Sequence, residues 1–132
     1  MSTESPAAAP NKVTFWIGWV LSILPCLLLL MSATMKLSQS EAVVKGLGEG
    51  GYDPNTILPI GLAELGGTIL YLVPQTAVLG AIILVGYLGG ATATHVAAGD
   101  GMFWSPVLIG VILWLGLYLR EPRLRVLVPW RK

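Results

Sequence analysis

Four long segments with almost no charged side chains constrain this chain most. Residues 13–35 contain none, and as a helix rising about 1.5 Å per residue they can cross a hydrocarbon core about 30 Å thick. Residues 55–73 contain only Glu64, residues 75–98 contain His95 and no formal charge, and residues 102–119 contain no charge. The second and third segments together would extend about twice the core thickness, so we expect a hairpin at Pro74. The pattern predicts an all-α integral membrane protein, a four-helix transmembrane bundle.

The composition agrees with a membrane protein and excludes several other classes. Hydrophobic residues make up 55% of the chain and charged residues 11%, whereas about a quarter is usual in soluble domains. A net charge of +1 gives no electrostatic basis for binding nucleic acid. The single cysteine, Cys26, excludes an intrachain disulfide, and neither a zinc-site pattern nor another motif for an intrinsic cofactor or metal is present.

The remaining segments predict how the chain is oriented. We expect a disordered polar leader at residues 1–12, an outer loop at 36–54 carrying a short surface helix, and a basic amphipathic cytoplasmic tail at 120–132. The outer helix should start near Ser38 and Glu41 and end at the glycine-rich residues 48–51. Six of the eight Lys and Arg residues flank the two ends of the chain. The positive-inside rule therefore predicts that both termini are cytoplasmic.

Small residues recur at helical intervals in the second and third segments. In lipid, helices associate largely through close backbone approach, which small side chains allow. We therefore expect helix packing along faces that contain Gly61, Gly66, Gly67, Gly86, Gly89 and Gly90. The alternative is that these residues only reflect the higher frequency of glycine in membrane helices.

Glu64 is the most informative polar residue. It should lie near the middle of the membrane, where an ionised side chain costs at least about 2.5–3.5 kcal/mol unless it is paired, neutral or facing a cavity. Thr68 follows one turn later on the same helix face. Depth along the helices brings Lys36, Glu64 and His95 into the outer half of one bundle, with Thr92 one turn deeper than His95.

Two interpretations of these polar residues stay open. In the first, an outer-leaflet pocket binds a small polar molecule, a quinone headgroup or protons through Lys36, Glu64, Thr68, Thr92 and His95. In the second, the same residues form an internal polar clasp without a ligand. General acid–base catalysis would depend on one carboxylate and one imidazole with no identifiable orienting group. We therefore expect no enzymatic activity from the chain on its own.

The second half of the chain closely resembles the DoxX-like family of small bacterial membrane proteins. The resemblance covers about residues 32–125 and is carried by the runs GLAELGGTILYLVPQTAVLGAIILVGYLGGATATH and LGLYLREPRLR. Its ordered features are Met35-Lys36-Leu37, Glu64, Pro74, Leu79-Gly80-Ala81, Gly89-Gly90-Ala91, His95 and Tyr118-Leu119-Arg120. It implies a four-helix transmembrane bundle in the bacterial inner membrane.

The resemblance also implies partners. The family name comes from a subunit associated with quinone-linked oxidase complexes, and other relatives resemble partners of oxidoreductases or assembly factors. Two hypotheses follow for this chain, whose surroundings are membrane lipids. The first is an accessory or structural subunit that binds other integral membrane proteins or itself, and the alternative is a small-molecule or quinone-binding protein that uses the pocket of Lys36, Glu64 and His95.

Overall fold

A computed structural model describes residues 12–131, and these residues form helices without any strand. The helices are α1 (Lys12–Leu37), α2 (Glu41–Glu49), α3 (Pro54–Leu72), α4 (Ala77–Ala98), α5 (Trp104–Arg120) and α6 (Leu124–Leu127), with a single 3₁₀ turn at Pro74–Thr76. Residues 1–11 of the expected leader lie outside the described residues. Lys12, assigned to that leader from the sequence, is instead the first residue of α1.

The four long helices form a closed ring in which α1 packs on α3, α3 on α4, α4 on α5, and α5 on α1. By length and composition, three helical segments could cross a membrane: Lys12–Leu37, Pro54–Leu72 and Pro74–Ala98. The fourth, α5, is a shorter apolar helix of 17 residues. Large apolar side chains such as Leu24, Leu62 and Val111 are more than half exposed on the outside of the ring, as expected for helices that face lipid. The protein is thus an all-helical membrane bundle.

The connections between the helices lie close to the positions that the sequence predicts. Helix α3 ends at Leu72 and α4 begins at Ala77, so the turn at Pro74–Thr76 forms the predicted hairpin. The loop between α1 and α3 contains the predicted short helix, α2, which ends at the Gly50 cap. It begins after Ser40 rather than at Ser38, whose hydroxyl instead donates to the Met35 carbonyl.

Close helix contacts occur at two of the expected glycines and also at glycines that were not predicted. A Cβ atom on Gly80 would lie 2.2 Å from the Tyr71 nitrogen, and one on Gly18 would lie 2.8 Å from the Gly116 oxygen, so both sites exclude a side chain. Of the predicted positions, Gly61 and Gly67 are similarly tight, at 2.9 Å from the Lys36 Cβ and the Ile83 Cγ2 atoms.

The other four predicted packing glycines do not bring helices together within this chain. The positions are Gly66, Gly86, Gly89 and Gly90, and a Cβ atom at any of them would meet no atom of the described residues within 4 Å. The packing expectation is corrected there because spacing identifies a row of small residues but not the direction in which that row faces.

Candidate functional site

Glu64 is paired with Lys36 inside the bundle. Glu64, on α3, is completely buried, and the Lys36 side chain, in the last turn of α1, is 11% exposed. The Lys36 Nζ atom lies 3.1 Å from the Glu64 Oε1 atom. The ion pair therefore joins two neighbouring helices at a depth where an isolated charge would be unfavourable.

Two residues missed by the sequence analysis complete this arrangement. The Lys36 ammonium also donates to the Ser32 hydroxyl at 2.6 Å and to the Tyr87 hydroxyl at 2.8 Å. Ser32 in turn donates to the Glu64 Oε1 atom at 3.3 Å. We call Ser32, Lys36, Glu64 and Tyr87 the lysine cluster. Ser32 lies one turn before Lys36, which is a usable sequence signal, whereas nothing in the sequence links Tyr87 to α1.

Within the lysine cluster, the hydrogen-bonding capacity of the Lys36 cation is fully used, whereas that of the Glu64 anion is used only in part. An ammonium group has three N–H donors, and the three contacts of Lys36 match that number. The second carboxylate oxygen of Glu64, Oε2, is buried and has no hydrogen-bond partner in the part of the chain that the structure describes. Thr68 does not supply one, since its hydroxyl donates to the Glu64 backbone carbonyl at 2.7 Å.

His95 and Thr92 lie outside the lysine cluster. The His95 Nδ1 atom is 2.7 Å from an oxygen of Asp100, and both side chains are more than one third exposed. Thr92 donates to the carbonyl of Leu88 on its own helix. The expected grouping of His95 with Lys36 and Glu64 is therefore corrected, because His95 contacts Asp100 instead. Asp100, which the sequence analysis did not consider, orients the imidazole.

Asp100 is fixed in the turn between α4 and α5. Its carboxylate accepts a hydrogen bond from the Met102 backbone nitrogen at 2.9 Å and also contacts His95. The Met102 bond first, and His95 second, hold the pKa of the Asp100 carboxyl below its usual value. The turn thus keeps an anion beside the imidazole at neutral pH.

A cavity of about 990 Å³ connects the two polar groups. Ser32, Lys36 and Tyr87 line it at one place, and His95 and Asp100 line it at another. Tyr87 and His95 are eight residues apart on α4, which corresponds to about 12 Å along the helix. Residues 43–52, from α2 and the segment after it, line it in part, together with the apolar side chains Ile60, Ala63, Ile82 and Ile83.

Two of the unpacked glycines form part of the cavity wall. Gly86 and Gly90 line the cavity, and both are exposed. The volume lies near the upper end of the roughly 300–1,000 Å³ range of ligand sites. The arrangement can therefore accommodate an organic molecule with a polar group at the lysine cluster.

In contrast, no group of three or more His, Cys, Asp or Glu that could hold a metal ion occurs within residues 12–131.

Comparison with known proteins adds one finding to this geometry. The model of the DoxX-like family matches residues 20–118, which is more than half of the chain and includes the complete lysine cluster and His95. No curated protein and no solved structure matches the chain at a significant level.

Proposed function

This chain belongs to the DoxX-like family, and from that premise we propose that it binds a small amphiphilic carbonyl compound of the quinone class. The single observation that supports the proposal is the lysine cluster, which lies in the wall of a large and mainly apolar cavity. The cluster would hold the polar group of the ligand, and the apolar walls would contact its ring and tail.

Glu64 does not line the cavity, and the cluster residues that do line it favour a ligand that accepts hydrogen bonds rather than donates them. The Tyr87 oxygen accepts from Lys36, which leaves its own O–H group to act as a donor. A neighbouring cation strengthens such a donor. Quinone carbonyls accept hydrogen bonds and have no donor of their own, whereas sugars and other polyols need acceptors as well.

Binding of a quinone can be tested with a matched pair of glycine variants. Gly90 lines the cavity, and Gly89, beside it on α4, does not, while a Cβ atom at either position would meet no atom of residues 12–131 within 4 Å. The probe is decylubiquinone, titrated into the purified full-length protein. We expect Gly90→Leu to weaken binding by about tenfold or more by filling the space, and Gly89→Leu to bind normally.

A third variant tests the role of the cluster itself. Tyr87→Phe keeps the ring in the cavity wall and removes the donor, so we expect it to weaken decylubiquinone binding by about fivefold to tenfold. The proposal is wrong if wild-type protein fails to bind decylubiquinone, or if the Gly89 and Gly90 variants lose affinity equally.

We also propose a second function, that of an accessory subunit of a larger membrane complex. The observation in favour is an exposed row of small residues on α4, namely Gly89, Ala93 and Ala97. At Gly89, none of the described helices covers this row. Such a row allows the helix of another protein to approach closely. Purification in mild detergent should recover a membrane partner from wild type and lose it from Gly89→Leu. Recovery that does not differ between the two proteins would contradict this role.

We propose in addition that all four long helices span the bacterial inner membrane and that both termini are cytoplasmic. Helix α5, with 17 residues, would be about 26 Å long, at the lower limit for a span. Basic residues concentrate at the end of the bundle where α1 begins and α5 ends, and only Lys36 and Lys45 belong to the other end. A fluorescent protein fused to the C-terminus should fluoresce, whereas a periplasmic alkaline phosphatase fused there should stay inactive.

A further inference from the structure

A second, smaller cavity of about 210 Å³ lies at the opposite end of the bundle from α2. It is formed where α1 begins, α3 meets α4, and α5 ends. We call it the arginine cleft, and the residues that line it are Phe15, Trp19, Pro74, Ala77, Leu117, Arg120 and Glu121. The cleft is below the size of typical organic-ligand sites, so it suits a headgroup rather than a whole cofactor.

Among residues 12–131, Arg120 is the only cation that lines the arginine cleft, and it is 7% exposed. The guanidinium lies over the ring of Trp19 at 4.2 Å and over the ring of Tyr71 at 4.7 Å. Its Nη2 atom donates to the Tyr71 carbonyl at 2.7 Å. Aromatic faces and a carbonyl lower the energy of a cation but do not neutralise its charge.

The guanidinium is incompletely paired. Its Nε atom is buried without a hydrogen-bond partner, and Arg120 forms no ion pair within residues 12–131. The carboxylate of Glu121 borders the cleft but is bound by Arg123, with Nε–Oε1 and Nη2–Oε2 distances of 2.9 and 3.1 Å. A buried charge without a counterion is unfavourable, so an anion from outside the chain would stabilise this end of the bundle.

We propose that the arginine cleft binds the phosphate group of a membrane phospholipid. A phosphate oxygen would accept the unused N–H of Arg120, and Phe15, Ala77 and Leu117 would contact the glycerol and the first acyl carbons. The cleft lies at the basic end of the bundle, which our proposed topology places in the inner leaflet, where anionic lipids are common. Free phosphate offers the same chemistry without acyl chains, and the experiment separates the two sources.

The test compares three probes on the full-length protein in detergent: dioleoyl-phosphatidylglycerol, dioleoylglycerol and inorganic phosphate. Binding is followed by native mass spectrometry and by the thermal unfolding midpoint. We expect the phospholipid to form a retained adduct and raise the midpoint, and dioleoylglycerol, with the same chains and no phosphate, to do neither. Equal binding of the two lipids would overturn the proposal, as would inorganic phosphate giving the full stabilisation.

Two arginine variants locate the site. Arg125 is a matched control, since it also donates to helix carbonyls and lies over a tyrosine ring, Tyr118, but does not line the cleft. Arg120→Gln should weaken phospholipid binding by about tenfold or more, and Arg125→Gln should leave it unchanged. Equal losses in both variants would place the lipid elsewhere. If Arg120→Gln does not fold, the comparison of the two lipids on the wild type still decides whether the protein binds the phosphate group of a phospholipid.

Discussion

Replacing Glu64 by glutamine tests the central electrostatic argument. The substitution keeps the size of the side chain and an oxygen that can accept a hydrogen bond, but it removes the negative charge beside Lys36. Among the described residues, Glu64 is the only carboxylate that pairs with Lys36, and it is completely buried. The variant would therefore leave an ammonium group inside the bundle without a counterion.

The size of the effect follows from this burial. Removing one partner of a buried ion pair costs about 3–5 kcal/mol of unfolding free energy. Ser32 and Tyr87 continue to accept hydrogen bonds from Lys36 in the variant, so we expect the lower end, about 3 kcal/mol. Neutral hydrogen bonds between membrane helices average only about 0.6 kcal/mol, so a loss of this size would identify the charge as its source.

The assay is reversible unfolding in mixed micelles of dodecyl maltoside and sodium dodecyl sulfate. Wild type is compared with Glu64→Gln, Lys36→Met and the double variant in a double-mutant cycle. The double variant contains neither charge of the pair, so it should be more stable than the sum of the single losses predicts, by about 2 kcal/mol or more. Glu49→Gln is the control, because Glu49 is exposed and should change stability by less than about 0.5 kcal/mol.

Two results would refute this reasoning. The first is an unfolding free energy of Glu64→Gln within about 0.5 kcal/mol of the wild-type value, as for an exposed substitution. The second is that the losses of the two single variants add without coupling in the double variant. Either result would mean that the pair of Lys36 and Glu64 contributes no more than an ordinary surface contact.

Three further predictions address glycine packing and the α4–α5 turn. Gly80→Ala should prevent stable folding, measured by recovery from size-exclusion chromatography, since its Cβ would lie 2.2 Å from the Tyr71 nitrogen. Gly66→Ala, in open space on α3, should instead stabilise by about 0.5–1 kcal/mol in the micelle assay. The depressed pKa of Asp100 means that its contribution to stability is complete above the ordinary value of 3.8 and is lost as the pH falls through the folded value. Hydrogen exchange at the Met102 amide should therefore show acid-dependent loss of protection in wild type and not in Asp100→Asn.

The helices could be predicted from the sequence because their boundaries depend on local signals. Long segments with almost no charged side chains determine where α1, α3 and α4 lie, and Pro74 determines the position of the hairpin. The directions of the helix faces were not predictable in the same way. Gly67 contacts α4 while Gly66, next to it, faces open space, and this difference depends on the rotation of α3 about its own axis. Residue spacing specifies a face of a helix but not which neighbour that face meets.

The part of the candidate site that depends on depth in the membrane could be predicted from the sequence. Lys36 and Glu64 share a depth, and the cost of burying a charge requires a partner, so the two pair. His95 was assigned to the same group by depth as well, yet Asp100, on the turn that folds back after α4, is closer. Tyr87 was missed because its contact with Lys36 depends on how α1 and α4 face each other across the bundle.

The glycines at helix contacts and the glycines in the cavity wall together explain why a cavity can persist beside a buried ion pair. Gly80, against Tyr71, holds α3 close to α4, and the pair of Lys36 and Glu64 holds α3 close to α1. The helices on both sides of the cavity are thereby fixed, while Gly90 on the α4 wall contributes no side chain to fill it. The cavity therefore lies between helices that the packing of the bundle holds in place.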